Sequence, residues 1–75
     1  MKKVKISLSS IDTVKSFVTL TTKIEGDVTI ISGRYIIDAK SIMGIFSLDL
    51  SKPLDLEIEE WKDEYEDALK PYMID

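Results

Sequence analysis

The sequence predicts an α+β fold, a two-layer sandwich, and three observations carry that prediction. Short alternating or β-rich stretches occur four times, stretches with apolar residues three and four apart occur three times, and the two kinds interleave as β-α-β-β-α-β-α. A hairpin signal joins the second and third strands. Strands with interspersed helices and a hairpin favour a mostly antiparallel four-stranded sheet with three helices on one face. The 75 residues suffice for one domain, residues 1–75, with a modest core, because a chain this short buries only about 60% of its unfolded surface.

In MKKVKISLSS, Val4, Ile6 and Leu8 alternate with polar residues, which is the pattern of a half-buried strand. The period then changes. Ile11, Val14, Phe17 (with Val18), Thr21 and Ile24 form one helical face. Ser9, with Asp12 three residues on, resembles a capping box, and Gly26 is a stop signal. Val28 to Ile31 and Arg34 to Ile37 read as strands joined by Ser32-Gly33. Ser41 is a good N-cap for a short helix from Ile42 to about Ser47, and Asp49 to Pro53 is a turn cluster. Leu54, Leu56 and Ile58 alternate with acids in the cleanest strand of the chain. From Glu60 a helical period returns, with Trp61, Tyr65, Ala68, Leu69 and Tyr72 on one face, and Pro71 ends the helix or kinks its last turn. Core residues are expected at Val4, Ile6, Val14, Phe17, Val28, Ile30, Leu54, Leu56, Ile58 and Leu69.

Composition limits the chemistry. Without cysteine there is neither a disulfide framework nor a thiolate metal site, which fits a cytoplasmic location. Without histidine the chain lacks the side chain best suited to proton transfer near neutrality. A net charge of −4 argues against nucleic acid, and Lys2, Lys3 and Lys5 are too few for a basic patch. No apolar run approaches the roughly 18 residues of a membrane span, and the amino terminus lacks the apolar run of a signal peptide. The glycines at 26, 33 and 44 stand alone, so there is no phosphate-binding loop. Glu60, Asp63, Glu64 and Asp67 read as a solvated helix face, with Lys62 and Glu66 placed for an ion pair, rather than as a metal site. No catalytic constellation stands out, so neither an enzyme nor a cofactor is expected.

The segment KSIMGIFS holds Ile42, Met43, Ile45 and Phe46 around Gly44. These side chains are either core or an exposed patch beside Ser41, and exposed apolar patches mark interaction surfaces. Ile45 and Leu48 are the better candidates to point inward. The stretch GRYIIDAKSIMGIFSLDLSKPLDLEI closely resembles the region around the regulatory serine of HPr, the histidine-containing phosphocarrier of the bacterial phosphotransferase system. The resemblance implies an HPr-like open-faced sandwich with the element order already read. HPr proteins carry phosphate on a histidine in a G-[IL]-H-A-R-P motif at the start of the first helix. Here that place reads SLSSIDTV: Ser9 or Ser10 stands near the histidine, Asp12 near the arginine and Thr13 near the proline. Hydroxyls and a carboxylate replace the nitrogen nucleophile and the cation, leaving a degenerate phosphocarrier site.

The family's second site is a serine phosphorylated by a dedicated kinase, and Ser41 matches it. By the same resemblance Lys40, Ile42, Met43 and Phe46 are carried over as partner-binding positions. The expectation is therefore a non-catalytic regulatory or interaction module, monomeric, binding a protein through the Ser41 helix. That partner would be a serine kinase, a phosphotransferase-system component or a regulator. The alternative is a phosphocarrier or phosphoacceptor in phosphoenolpyruvate-dependent sugar phosphotransfer, using a hydroxyl or carboxylate near Ser10.

Overall fold

Alternation decides the sheet. In the computed structural model, which describes residues 1–74, the strands are Lys2–Ile6 (β1), Val28–Ser32 (β2), Tyr35–Asp38 (β3) and Leu54–Ile58 (β4). They lie in the order β1-β4-β2-β3, every neighbouring pair antiparallel. The register aligns Val4, Leu56, Ile30 and Ile37 in one row across the sheet, with Lys3, Glu57, Thr29 and Asp38 in the next. Successive side chains of a strand point to opposite faces, so the first row enters the core and the second faces outward. Val4, Leu56 and Ile30 are buried and Ile37 packs against them.

Three helices cover that inner face: Ile11–Thr21 (α1), Ile42–Phe46 (α2) and Glu64–Leu69 (α3). Because β1 and β2 both run antiparallel to β4, they share a direction, and α1 crosses between them. In the same way α2 crosses from β3 to β4. All ten expected core residues are buried, joined by Leu8, Ile24, Ala39, Ile45, Leu48 and Tyr65. Phe17 meets Tyr72 edge to face, with ring centroids 5.3 Å apart. Thr21 is wholly buried, and its hydroxyl donates to the Ala39 carbonyl at 2.9 Å, tying the end of α1 to the approach to α2. Among the described residues no helix is long and apolar enough to cross a membrane.

Several local expectations need correction. The cap of α1 is Ser10 rather than Ser9: its hydroxyl accepts from the Thr13 amide at 3.1 Å, and Asp12 completes no capping box. Ile11 is exposed because, at about 100° per residue, it lies roughly 90° round from the centre of the stripe formed by Val14, Phe17 and Thr21. The helix stops at Thr21, so Gly26 is a positive-φ turn into β2 and not a helix cap. The hairpin loop is Gly33-Arg34, closed by the Ser32–Tyr35 pair. A two-residue loop of this hand needs positive φ at its first position, and Gly33, at φ 59°, supplies it.

The last helix is shorter than the periodicity implied. Tyr65 and Glu66 donate to the Lys62 and Asp63 carbonyls in a tight turn, and regular helix begins only at Glu64. Trp61 precedes it, half-buried, meeting Tyr65 edge to face at 6.1 Å with the Lys2 ammonium 5.4 Å from its ring. The acidic face therefore falls apart, since Glu60 and Asp63 lie outside the helix. Lys62 also precedes it, and the ion pair that forms is Lys70–Asp67 at 3.7 Å. Pro71 follows the helix end, and the chain then returns along β1. Ser7 donates to Tyr72, Ile74 donates to Lys5, and Met73 bridges Ile6.

Between α2 and β4 the loop is held by Asp49, whose carboxylate accepts from the Ser51 hydroxyl and amide. Chiefly that hydroxyl, then the amide, holds the carboxyl below its ordinary pKa, and Lys52 adds to the effect. A lowered carboxylate pKa stabilises the fold above its unfolded value, and that contribution is lost as pH falls through the folded value. Phe17 is wholly buried and the largest such side chain among the described residues, so Phe17→Ala should cost about 3–5 kcal/mol by denaturant titration. Against a total of about 5–15 kcal/mol typical of a small domain, that is enough to threaten the fold.

Candidate functional site

The polar run that leads into α2 organises its own backbone. The Asp38 carboxylate accepts from the Lys40 amide at 2.9 Å, and the Asp38 carbonyl accepts from the Ser41 amide at 3.0 Å. Ser41, extended at φ −103° and ψ 106°, then caps the helix: its hydroxyl accepts from the Gly44 amide at 3.2 Å. The Ser47 hydroxyl donates to the Gly44 carbonyl at the other end. A helix of five residues cannot stand on its own hydrogen bonds, so side-chain caps and packing must hold it.

Packing does so through one side. Ile45 is wholly buried, Leu48 is buried just beyond the helix, and Ile42 is half-buried against the core. Met43 is 77% exposed and Phe46 39%. The four apolar groups of KSIMGIFS thus divide into anchor and surface. Lys40, expected at a partner surface, is half-buried, and its ammonium donates to the Gly26 carbonyl at 3.1 Å. Its charge is spent partly on holding the turn before β2 against the α2 approach.

Gly44 has a role its spacing did not reveal. A Cβ built there would lie 2.7 Å from Cγ2 of Ile37 and 3.3 Å from the Ser41 hydroxyl oxygen. The backbone of α2 therefore rests directly on β3, closer than any residue with a side chain permits. Sequence reading marked Gly44 only as lying inside the segment. The signal that could have found it is the Ile37–Gly44 interval, which becomes meaningful only once α2 is known to fold back over β3.

The serines at the start of α1 belong to a different arrangement. Ser9 is exposed and so is Asp12, while Ser10 is occupied as the cap, its hydroxyl 2.8 Å from that of Thr13. Among the described residues no side-chain hydrogen bond links Ser9, Ser10 or Asp12 to the Ser41 segment. The topology brings α2 back toward the end of the sheet from which α1 sets out, with Ser41 at the far end of α2. The acidic tail gathers no site either: among the described residues no three Asp or Glu side chains stand close enough to hold a metal ion.

A groove of about 350 Å³ runs beside the β2–β3 edge, lined by Asp27, Thr29, Ile36, Asp38 and Lys40 among others. Exposed apolar side chains missed by the sequence reading are Ile11, Tyr35 and Ile36, each of which fell in a pattern taken as core or strand.

The close approach at Gly44 has a measurable consequence. Gly44→Ala would drive a methyl into the stiff β-branched Ile37 and should cost about 1–3 kcal/mol, the range for overpacking. An equilibrium unfolding curve checks this, and in an Ile37→Ala background the same glycine substitution should cost less. Unchanged stability in Gly44→Ala would mean that α2 is free to lift from the sheet.

Compared with known proteins, the chain matches no family model, no curated protein and no solved structure.

Proposed function

We propose that this chain is a non-catalytic HPr-like interaction module that docks a protein partner through α2, with Ser41 as the switch. The observation that carries the reading is Met43. A large flexible apolar side chain stands 77% exposed on a helix fixed by buried Ile45, by the Ser41 cap and by the Gly44 contact with β3. Exposed methionine suits an adaptable contact, because its unbranched thioether fills irregular gaps at little cost. Phe46, three residues on, is also part-exposed and adds to the apolar surface of the helix.

Phosphate on Ser41 would add about −1.5 to −2 charges at the border of this apolar surface, which opposes burial against an apolar partner and favours one presenting arginine. The partner class is that implied by the resemblance: a serine kinase, a phosphotransferase-system component or a regulator in the cytoplasm. Lys40 and Ile42 belong to the support of the helix more than to its contact surface. A phosphocarrier role has less in its favour, because the chain has no histidine and the Ser10 hydroxyl is engaged in capping.

Two measurements separate these readings. Incubation with phosphoenolpyruvate and the general phosphotransfer enzymes should leave the chain unlabelled; stoichiometric labelling near Ser10 would favour the phosphocarrier instead. Met43→Glu should change stability by no more than about 0.5 kcal/mol, as for other exposed positions. The same variant should lose the proteins that co-purify with the wild-type chain, and Ser41→Asp should alter that set while leaving the helix capped. If Met43→Glu unfolds the domain, or binds the same proteins unchanged, the α2 surface is not the docking site.

A further inference from the structure

The two edges of the sheet are treated differently. At the β1 edge the carboxy-terminal residues lie alongside the strand, with Ile74 donating to the Lys5 carbonyl and Met73 bridging Ile6. At the β3 edge no strand of the described residues pairs beyond Tyr35–Asp38. That edge also lacks the usual protection of lysine, proline or a bulge, and it carries Ile36 at 72% exposure and Tyr35 at 65%.

The hydrogen-bond parity of β3 defines what the edge offers. The hairpin closes at the Ser32–Tyr35 pair, and beyond the strand the Ala39 amide donates to the Val28 carbonyl at 2.9 Å. Tyr35, Ile37 and Ala39 therefore bond inward to β2, and Ile36 and Asp38 turn their backbone groups outward, with Arg34 in the turn just before the strand. The Asp38 carbonyl is already taken by the Ser41 amide, while the Ile36 amide and carbonyl have no such use among the described residues. Ile36 and Asp38 also project from the open face, the one that no helix covers, since Ile37 packs inward.

We propose that a second copy of this chain pairs with this edge, β3 against β3, antiparallel about a two-fold axis at Ile36, giving a continuous eight-stranded sheet. Charge selects both the occupant and the register. A two-fold at Ile36 sets Arg34 of each copy opposite Asp38 of the other, so that both ends of the short strand carry an opposite-charge pair. It also sets Ile36 against Ile36 in a pair that exchanges backbone hydrogen bonds, and Tyr35 against Ile37 on the helical side. A shift toward the turn puts Arg34 opposite Ile36 and Asp38 opposite Ser32; a shift the other way puts Arg34 opposite Lys40. Only the central register satisfies parity and charge together. The axis stands perpendicular to the sheet, so the helices of both copies remain on one side.

Four residues bury far less than the roughly 1,000 Å² of a stable interface, so the dimer is weak, reversible and sensitive to salt. Its place on the β3 edge makes it independent of docking through Met43. Sedimentation of the whole chain from about 10 µM to about 1 mM should show the mass moving from one chain toward two. Ile36→Lys should weaken association by about tenfold or more, since it places like charges at the axis, and should stay folded because the side chain is exposed. Arg34→Glu alone and Asp38→Arg alone should each weaken it, and the two together should restore it. Recovery of the double variant relative to Asp38→Arg reads the register itself, because the Asp38 bond to the Lys40 amide is missing from both. A chain that stays monomeric throughout, association untouched by Ile36→Lys, or a double variant no better than the singles would each overturn the proposal.

Discussion

The insertion of β4 between β1 and β2 is the constraint on which the rest of the molecule depends. Leu54, Leu56 and Ile58 pair with Ile6, Val4 and Lys2 on one side, and Leu56 and Ile58 pair with Ile30 and Val28 on the other. Until residues 54–58 arrive, the first strand has no neighbour and the β2–β3 hairpin stands alone, a unit that is marginal in water. Every inward residue of β4 is buried, so the strand is both the centre of the ladder and the floor on which the helices rest. Because these pairings span most of the chain, loop closure must precede the burial that rewards it, and the domain should form cooperatively or not at all.

With that floor in place, α2 can be short without being loose. A five-residue helix has too few backbone bonds to persist alone. Three contacts replace them: the Ser41 cap, the burial of Ile45, and the contact of Gly44 with Ile37. None of the three uses Met43. An apolar side chain is thereby presented to solvent from a rigid support. Thr21, bonded to the Ala39 carbonyl, fixes the incoming chain from the side of α1, so the presentation depends on the whole helical layer.

The limits of the sequence reading follow from the same physics. β1 and β4 were legible because burial on one sheet face imposes a period of two, with β4 the clearest case, whereas β2 and β3 were legible from β-rich runs on either side of a turn signal. Ser41 was legible as a cap because its context, polar residues followed by an apolar run, is local. Ser9 was preferred to Ser10 because either serine can precede the helix and only the start at Ile11 chooses between them. The tail misled because Trp61 and Tyr65 are four residues apart and touch, as in a helix, although a tight turn joins them. Gly44 and Ile36 could not be read at all. One depends on the height of α2 above β3, the other on which strand forms the edge, and both are properties of the assembled sheet.

The open face shows how the charge of the chain is disposed. Its two rows run from Lys3 through Glu57 and Thr29 to Asp38, and from Lys5 through Asp55 and Ile31 to Ile36. Opposite charges sit side by side at the β1–β4 end, where Lys5 and Asp55 approach to 3.9 Å, and the apolar pair sits at the β2–β3 end. So exposed an ion pair adds little stability, but lysines along an edge strand discourage pairing with another chain. β1 has that protection and the returning carboxy-terminal residues as well. β3 has neither, and its two charges, Arg34 and Asp38, have opposite signs at opposite ends. A like-signed pair would repel a second copy in any antiparallel register, whereas this disposition tolerates one register and disfavours its neighbours. The same few residues that close the hairpin and cap the approach to α2 thus also determine what the free edge accepts.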